Sequence, residues 1–138
     1  MLGRLDKAVI PAGLIRSAKT YSLVLETDGL YIIHTGPAGR HVRTRDTLSN
    51  AVANMVHNNQ ALKLAEGEKR LDSVSLVELV KEKGNTFITR GEIKGVEVGK
   101  NIYEETTMTI NTEQKKWKFH FFFQASEEQV RKFAALFF

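Results

Sequence analysis

Residues Thr86–Phe138 read TFITRGEIKGVEVGKNIYEETTMTINTEQKKWKFHFFFQASEEQVRKFAALFF, and this run decides the fold. In Lys115–Phe123 the residues Trp117, Phe119, Phe121 and Phe123 recur at every second position. A strand turns successive side chains to opposite faces, so the four rings share one face and Lys118, His120 and Phe122 share the other. Rings of this kind bury on the order of 150 to 250 Å² each, so the aromatic face must be core. Ser126 then opens a helix. Its hydroxyl can accept from the Gln129 backbone N–H while the Gln129 side chain reaches back, and Glu127 and Glu128 suit the positive helix start. Val130, Phe133, Ala134 and Phe137 form the apolar stripe that this helix lays on the aromatic strand.

Working backward, Thr106–Thr112 alternates Met108 and Ile110 against threonines and leads through Glu113-Gln114 into the aromatic strand. Thr86–Thr89 and Ile93–Val98, with Val96 and Val98 alternating against Glu97, read as a further hairpin around Arg90-Gly91. Nearer the start, Tyr21–Leu25 and Leu30–Thr35 are rich in β-branched and aromatic residues and flank an Asp28-Gly29 turn, so they too read as a hairpin. Gly36-Pro37-Ala38-Gly39 ends its second strand.

Between these sheet halves the period changes. Leu48, Ala51, Val52, Met55 and Val56 recur at three and four, with Leu62 and Ala65 continuing the stripe, so a helix is expected over 48–69, capped by Asp46 or Thr47. Its middle, His57-Asn58-Asn59-Gln60, is poor in helix formers, and the helix either breaks or projects there. Ser73 or Ser75 can start a short helix through Leu76 and Leu79 that Gly84-Asn85 stops, with a strand at SLVELV as the alternative. The expected class is α+β, a bent antiparallel sheet or partly open barrel with a C-terminal capping helix and an extra helical segment near 47–82. No linker or repeat divides the chain, so 1–138 is expected to be one domain.

Three of these segments carry a resemblance. NTFITRGEIKGVEV, TMTINTEQKKWKFHFFF and SEEQVRKFAALF, together with the hairpin YSLVLETDGLYIIHT, resemble pleckstrin-homology-like domains, particularly the small bacterial members. The resemblance implies a bent seven-stranded barrel plugged by its last helix. It departs from the phosphoinositide-binding members, whose basic residues run across the first hairpin: here Lys19 precedes that hairpin and Arg43-Thr44-Arg45 follows it. The 48–79 helical stretch has no counterpart in that family.

Composition narrows the chemistry. The 138 residues include no cysteine, which removes disulfides, thiolate nucleophiles and cysteine metal sites. The four histidines, His34, His41, His57 and His120, fall in four separate segments, and neither a nucleophile-elbow nor a glycine-rich phosphate motif occurs. No catalytic residues, metal or cofactor are therefore expected, and a non-enzymatic interaction module is. Its partner would be a protein or a second copy, through an open sheet edge such as Tyr21–Leu25 or Thr106–Thr112. Arg4, Asp6, Lys7 and Pro11 interrupt the opening residues, and no apolar run is long enough to span a bilayer, so a cytoplasmic protein without a transmembrane segment is expected.

The net charge of +4 sits in residues 1–70, which hold ten Lys and Arg against six Asp and Glu. It concentrates at Arg40, Arg43 and Arg45 beside His41. These three arginines, helped by Lys19, are the candidate phosphate- or anion-binding residues, for an anionic lipid or phosphate ligand; the alternative is a loop that charge keeps solvated. Nucleic acid is not expected, because the aromatic row beside Lys115, Lys116 and Lys118 is needed for the core.

Overall fold

Alternation of apolar and polar residues becomes a seven-stranded antiparallel sheet in the computed structural model, which describes residues 1–11, 18–37, 62–102, 104–121 and 126–138. The strands are β1 (Gly3–Ile10), β2 (Lys19–Leu25), β3 (Gly29–Pro37), β4 (Thr86–Thr89), β5 (Ile93–Lys100), β6 (Thr106–Thr112) and β7 (Lys116–Phe121). Their spatial order is β4-β3-β2-β1-β7-β6-β5. β4 and β5 thus stand at opposite ends of the sheet, yet only the 3-10 turn Arg90–Glu92 separates them in the chain. A sheet can satisfy both conditions only by bending round until its ends meet at that corner. It bends without closing.

Two hairpins form where the sequence places them. β2 pairs β3 from Lys19↔Pro37 to Leu25↔Leu30, and β6 pairs β7 from Thr106↔Phe121 to Asn111↔Lys116. The expected hairpin of Thr86–Thr89 with Ile93–Val98 does not form. β4 pairs β3, β5 pairs β6, and residues 90–92 turn a corner between them. The strand that joins the two halves is β1, which carries β2 on one side and β7 on the other.

The inner face holds the main core. Leu5, Leu23, Leu25, Leu30, Ile32, Ile88, Ile93, Met108, Ile110, Phe119 and Phe121 gather there with Val130, Phe133 and Phe137 of helix α3 (Glu127–Ala135). The capping box expected at Ser126 and Gln129 is present in both directions, with Oγ accepting at 3.2 Å and Oε1 accepting at 3.0 Å. Arg90 fixes the far end of α3 by donating to the Leu136 carbonyl oxygen at 3.0 Å and to that of Phe137 at 3.3 Å. Of the aromatic row, Phe119 and Phe121 are fully buried. Trp117 is half-buried, stacked on Phe119 and covered by the Lys115 ammonium 3.8 Å from its ring. Phe122 and Phe123 lie outside the described residues.

A second, smaller core lies on the outer face of the first half. Val24, Tyr31, Ile33 and Phe87 point outward and are covered by Leu71, Val74, Leu76, Leu79 and Val80. Leu71 comes from helix α1, described over residues 62–73, Leu76 and Leu79 from helix α2 (Leu76–Leu79), capped by Ser75, and Val74 and Val80 from the residues between the helices and at the end of α2. SLVELV is therefore helical, and α1 runs past the expected end at 69; the expected stretch 48–61 lies outside the described residues. The fit is tight. A Cβ at Gly67 would stand 1.8 Å from the Thr35 carbonyl oxygen, so only glycine lets α1 lie this close to β3.

Asn85 fastens α2 to the sheet, donating to the Leu79 carbonyl oxygen at 2.7 Å and accepting from the His34 backbone N–H at 2.7 Å. Asn85, rather than Gly84, thus closes α2: Gly84 has the left-handed φ of 91°, but it lies five residues beyond Leu79. A network of charges does the same for α1. Arg4 donates to Asp6 and Asp72, both at 2.9 Å, Ser22 donates to Asp6 at 2.5 Å, and Lys7 pairs with Glu68.

Candidate functional site

The expected site residues divide. Arg40, Arg43 and Arg45 lie outside the described residues, as do His41 and His57. Lys19 is the first residue of β2, exposed, between Ile10 of β1 and Pro37 of β3, and it forms no salt bridge with a described residue. His34 stands nearby on β3 with its ring 5.5 Å from that of Tyr21. Desolvation, and then the Lys19 charge, lower its pKa below the ordinary histidine value. His120 on β7 is lowered for the same two reasons, with Lys118 as the neighbouring charge. Among the described residues no three His, Asp or Glu converge to hold a metal ion, and no helix is long and apolar enough to cross a membrane.

A groove of about 590 Å³ runs between β1, α1 and α3, lined by Arg4, Lys7, Glu68, Lys132 and Phe133 among others. Its charges are already committed: Arg4 to Asp6 and Asp72, Lys7 to Glu68, and Lys132 to Glu128. Such a groove holds α1 against the sheet and offers few donors to a ligand.

The sheet edges differ from expectation. Tyr21–Leu25 lies inside β2, between β1 and β3, and Thr106–Thr112 is β6, between β5 and β7. Neither is an edge. In the structure every residue of β2 from Thr20 to Leu25 is buried, since α1 and α2 cover one side and the main core the other. Among the described residues the edges are β4, four residues long, and β5, eight residues long.

β5 pairs with β6 in two stretches. An irregularity between Ile93 and Gly95 breaks its ladder with β6, after which Gly95, Val96, Glu97, Val98 and Gly99 pair with Asn111, Ile110, Thr109, Met108 and Thr107. The inward residues are therefore Val96 and Val98, and the outward ones Gly95, Glu97 and Gly99. Ile110 and Met108 are 0 % exposed, but Val96 and Val98 directly beside them are only half-buried. The apolar interior runs out to the last strand, where Val96 and Val98 pack against the core yet stay partly exposed. Lys94 pairs with Glu113 at 2.9 Å and Lys100 with Glu127 of α3 at 3.4 Å, so the edge is held at both ends. Glu97, between them, is exposed and has no ion pair among the described residues.

The alternation of Val96 and Val98 against Glu97 is legible in the sequence, but its position at the end of the sheet depends on pairings more than 100 residues apart and is not. Comparison of the chain with protein-family models, with curated proteins and with solved structures finds no match.

Proposed function

We propose that this chain is a pleckstrin-homology-like interaction module of the cytoplasm, without catalytic activity, which recognises a protein partner by adding an extended segment to the free edge of β5. The family reading is supported by the bent seven-stranded sheet and the terminal helix on its inner face; α1 and α2, inserted between β3 and β4, set this chain apart from that pattern. The edge reading rests on one observation: Val96 and Val98 are half-buried where their ladder partners Ile110 and Met108 are completely buried. An incoming strand satisfies the outward N–H and C=O groups of β5 and covers both valines with its own alternate side chains. The test is an NMR titration with a nine-residue peptide of alternating threonine and valine. Protection from hydrogen exchange confined to amides of residues 94–100, lost in a Val96→Asp/Val98→Asp variant, supports the reading. Binding that leaves those amides unprotected, or no binding at millimolar peptide, rejects it.

A second reading, binding of an anionic lipid or phosphate ligand by Arg40, Arg43 and Arg45 with Lys19, is favoured by one observation: Lys19 is exposed and makes no salt bridge with a described residue. It calls for salt-sensitive sedimentation with phosphatidylserine vesicles that weakens in the Arg40→Ala/Arg43→Ala/Arg45→Ala variant. Equal sedimentation of the two proteins excludes it.

A further inference from the structure

Lys94 to Lys100 read KGVEVGK, the same in both directions about Glu97. On an edge strand this symmetry has a physical meaning, because antiparallel pairing with a second copy reverses the direction of the chain. Only the register centred on Glu97 sets both valines of one copy opposite both valines of the other. That same register places Glu97 opposite Glu97 of the second copy, and Lys94 opposite its Lys100. Like charges directly opposite across a ladder are destabilising. Registers shifted by one residue along each strand separate the charges but put a valine opposite a lysine, so the apolar contact is halved. The edge is thus arranged so that its best apolar self-match is its worst electrostatic match.

The same arrangement selects a different occupant. Val96 and Val98 offer two half-buried apolar positions on the inner face, and Glu97, with Gly95 and Gly99 as its same-face neighbours along the strand and the uncharged Thr109 beside it on β6, offers a single carboxylate on the outer face. From this we infer that the β5 edge takes an extended segment in which one lysine or arginine stands between two apolar residues, and that Glu97 discriminates against a second copy of this chain. The inference rests on the edge reading above and adds the chemistry of the partner. It runs against the overall field of the protein, since a net charge of +4 repels a basic segment at long range. A preference for the basic peptide would therefore report the local carboxylate.

Two nine-residue peptides test it, identical except for a central lysine or glutamate between two valines, titrated into the full chain with residues 94–100 followed by NMR. The lysine peptide is expected to bind about tenfold more tightly, the effect of exchanging a like for an opposite cross-strand pair. In Glu97→Lys the preference reverses. Equal binding of both peptides to both proteins overturns the charge inference and leaves the edge reading standing, whereas no response of β5 to either peptide overturns the edge reading itself and this inference with it. Light scattering gives the second arm. The parent is expected to stay free of β5-mediated dimers at concentrations where Glu97→Val forms them, and a parent dimer abolished by Val96→Asp/Val98→Asp contradicts the role given to Glu97.

Discussion

Replacing Gly67 by alanine sets local helix preference against tertiary fit, and the two disagree in sign. Gly67 lies inside α1, where alanine is favoured over glycine by about 1 kcal/mol, so propensity alone makes Gly67→Ala stabilising. The structure says otherwise. The new Cβ would stand 1.8 Å from the Thr35 carbonyl oxygen, 2.6 Å from its carbonyl carbon and 2.8 Å from its Cα, all backbone atoms of β3 that cannot rotate aside. Relief requires α1 to lift from the sheet by more than an ångström, loosening Leu71 and Val74 and drawing Glu68 and Asp72 away from Lys7 and Arg4. Overpacking of this kind costs about 3 kcal/mol at the upper end of its range, and subtracting about 1 for propensity leaves a net destabilisation of about 2 kcal/mol.

Urea unfolding read by circular dichroism measures that difference, and for a chain of this size it corresponds to a fall in Tm of roughly 8 °C. Ala65→Gly, at an exposed position of the same helix, isolates the propensity term and is expected to cost about 1 kcal/mol. A Gly67→Ala protein as stable as the parent, or more so, would refute the docking of α1 on β3 described above.

Phe119→Ala, at the centre of the inner core, is expected to cost 3 to 5 kcal/mol by the same assay, with Met108→Ala somewhat less. Asn85→Ala removes both the acceptor for His34 N–H and the donor to Leu79 O; a loss of about 1 to 3 kcal/mol is expected, and a neutral result would mean that α2 is held by its apolar contacts alone. Burial and neighbouring lysines depress the pKa values of His34 and His120, so the unfolded chain binds more protons than the folded one as pH falls below about 6.5. Stability is therefore full above that pH and declines below it until the folded values are passed, and His34→Gln/His120→Gln should flatten the decline between pH 7 and 5 in urea midpoints. Glu127 is likewise depressed by hydrogen bonds from Arg131 and Lys100, which adds a further loss as pH falls through the carboxylate range.

What the sequence disclosed, it disclosed through local signals. The Asp28-Gly29 turn, the threonine-hydrophobic alternation of 106–112 and the Ser126–Gln129 capping box each determine a structure within ten residues of themselves, and each stands as read. β1 escaped because its period is broken. Lys7 adopts a left-handed φ of 63° at the irregularity between Leu5 and Ala8, so the inward residues are Leu5, Ala8 and Ile10 and no regular alternation survives. Arg4, Asp6 and Lys7 also gave that segment a polar look, which the acids of α1 explain only once the helix is in place. The supposed hairpin at Arg90-Gly91 failed for a related reason: a turn sequence marks where a chain changes direction and carries no information on whether the flanking strands then meet. Of the anion-binding candidates only Lys19 is described, at the strand end next to His34.

The place of β1 between β2 and β7 bears on how the molecule is made. Val9 meets His120, so one side of the first strand waits for a partner 111 positions later, while its other side is filled by the next strand in the chain. During synthesis at about 5 to 20 residues per second the first three strands can assemble within moments of emerging, but β1 then keeps an open flank for several seconds more. For that interval the nascent chain has an extra adhesive border, one that the finished protein hides. The charged side chains of Arg4, Asp6 and Lys7 are already on that strand, and charge on an exposed border discourages neighbouring chains from pairing there. A single strand thus carries both the charge that guards its border and, in Arg4 and Lys7, the side chains that clasp the helix.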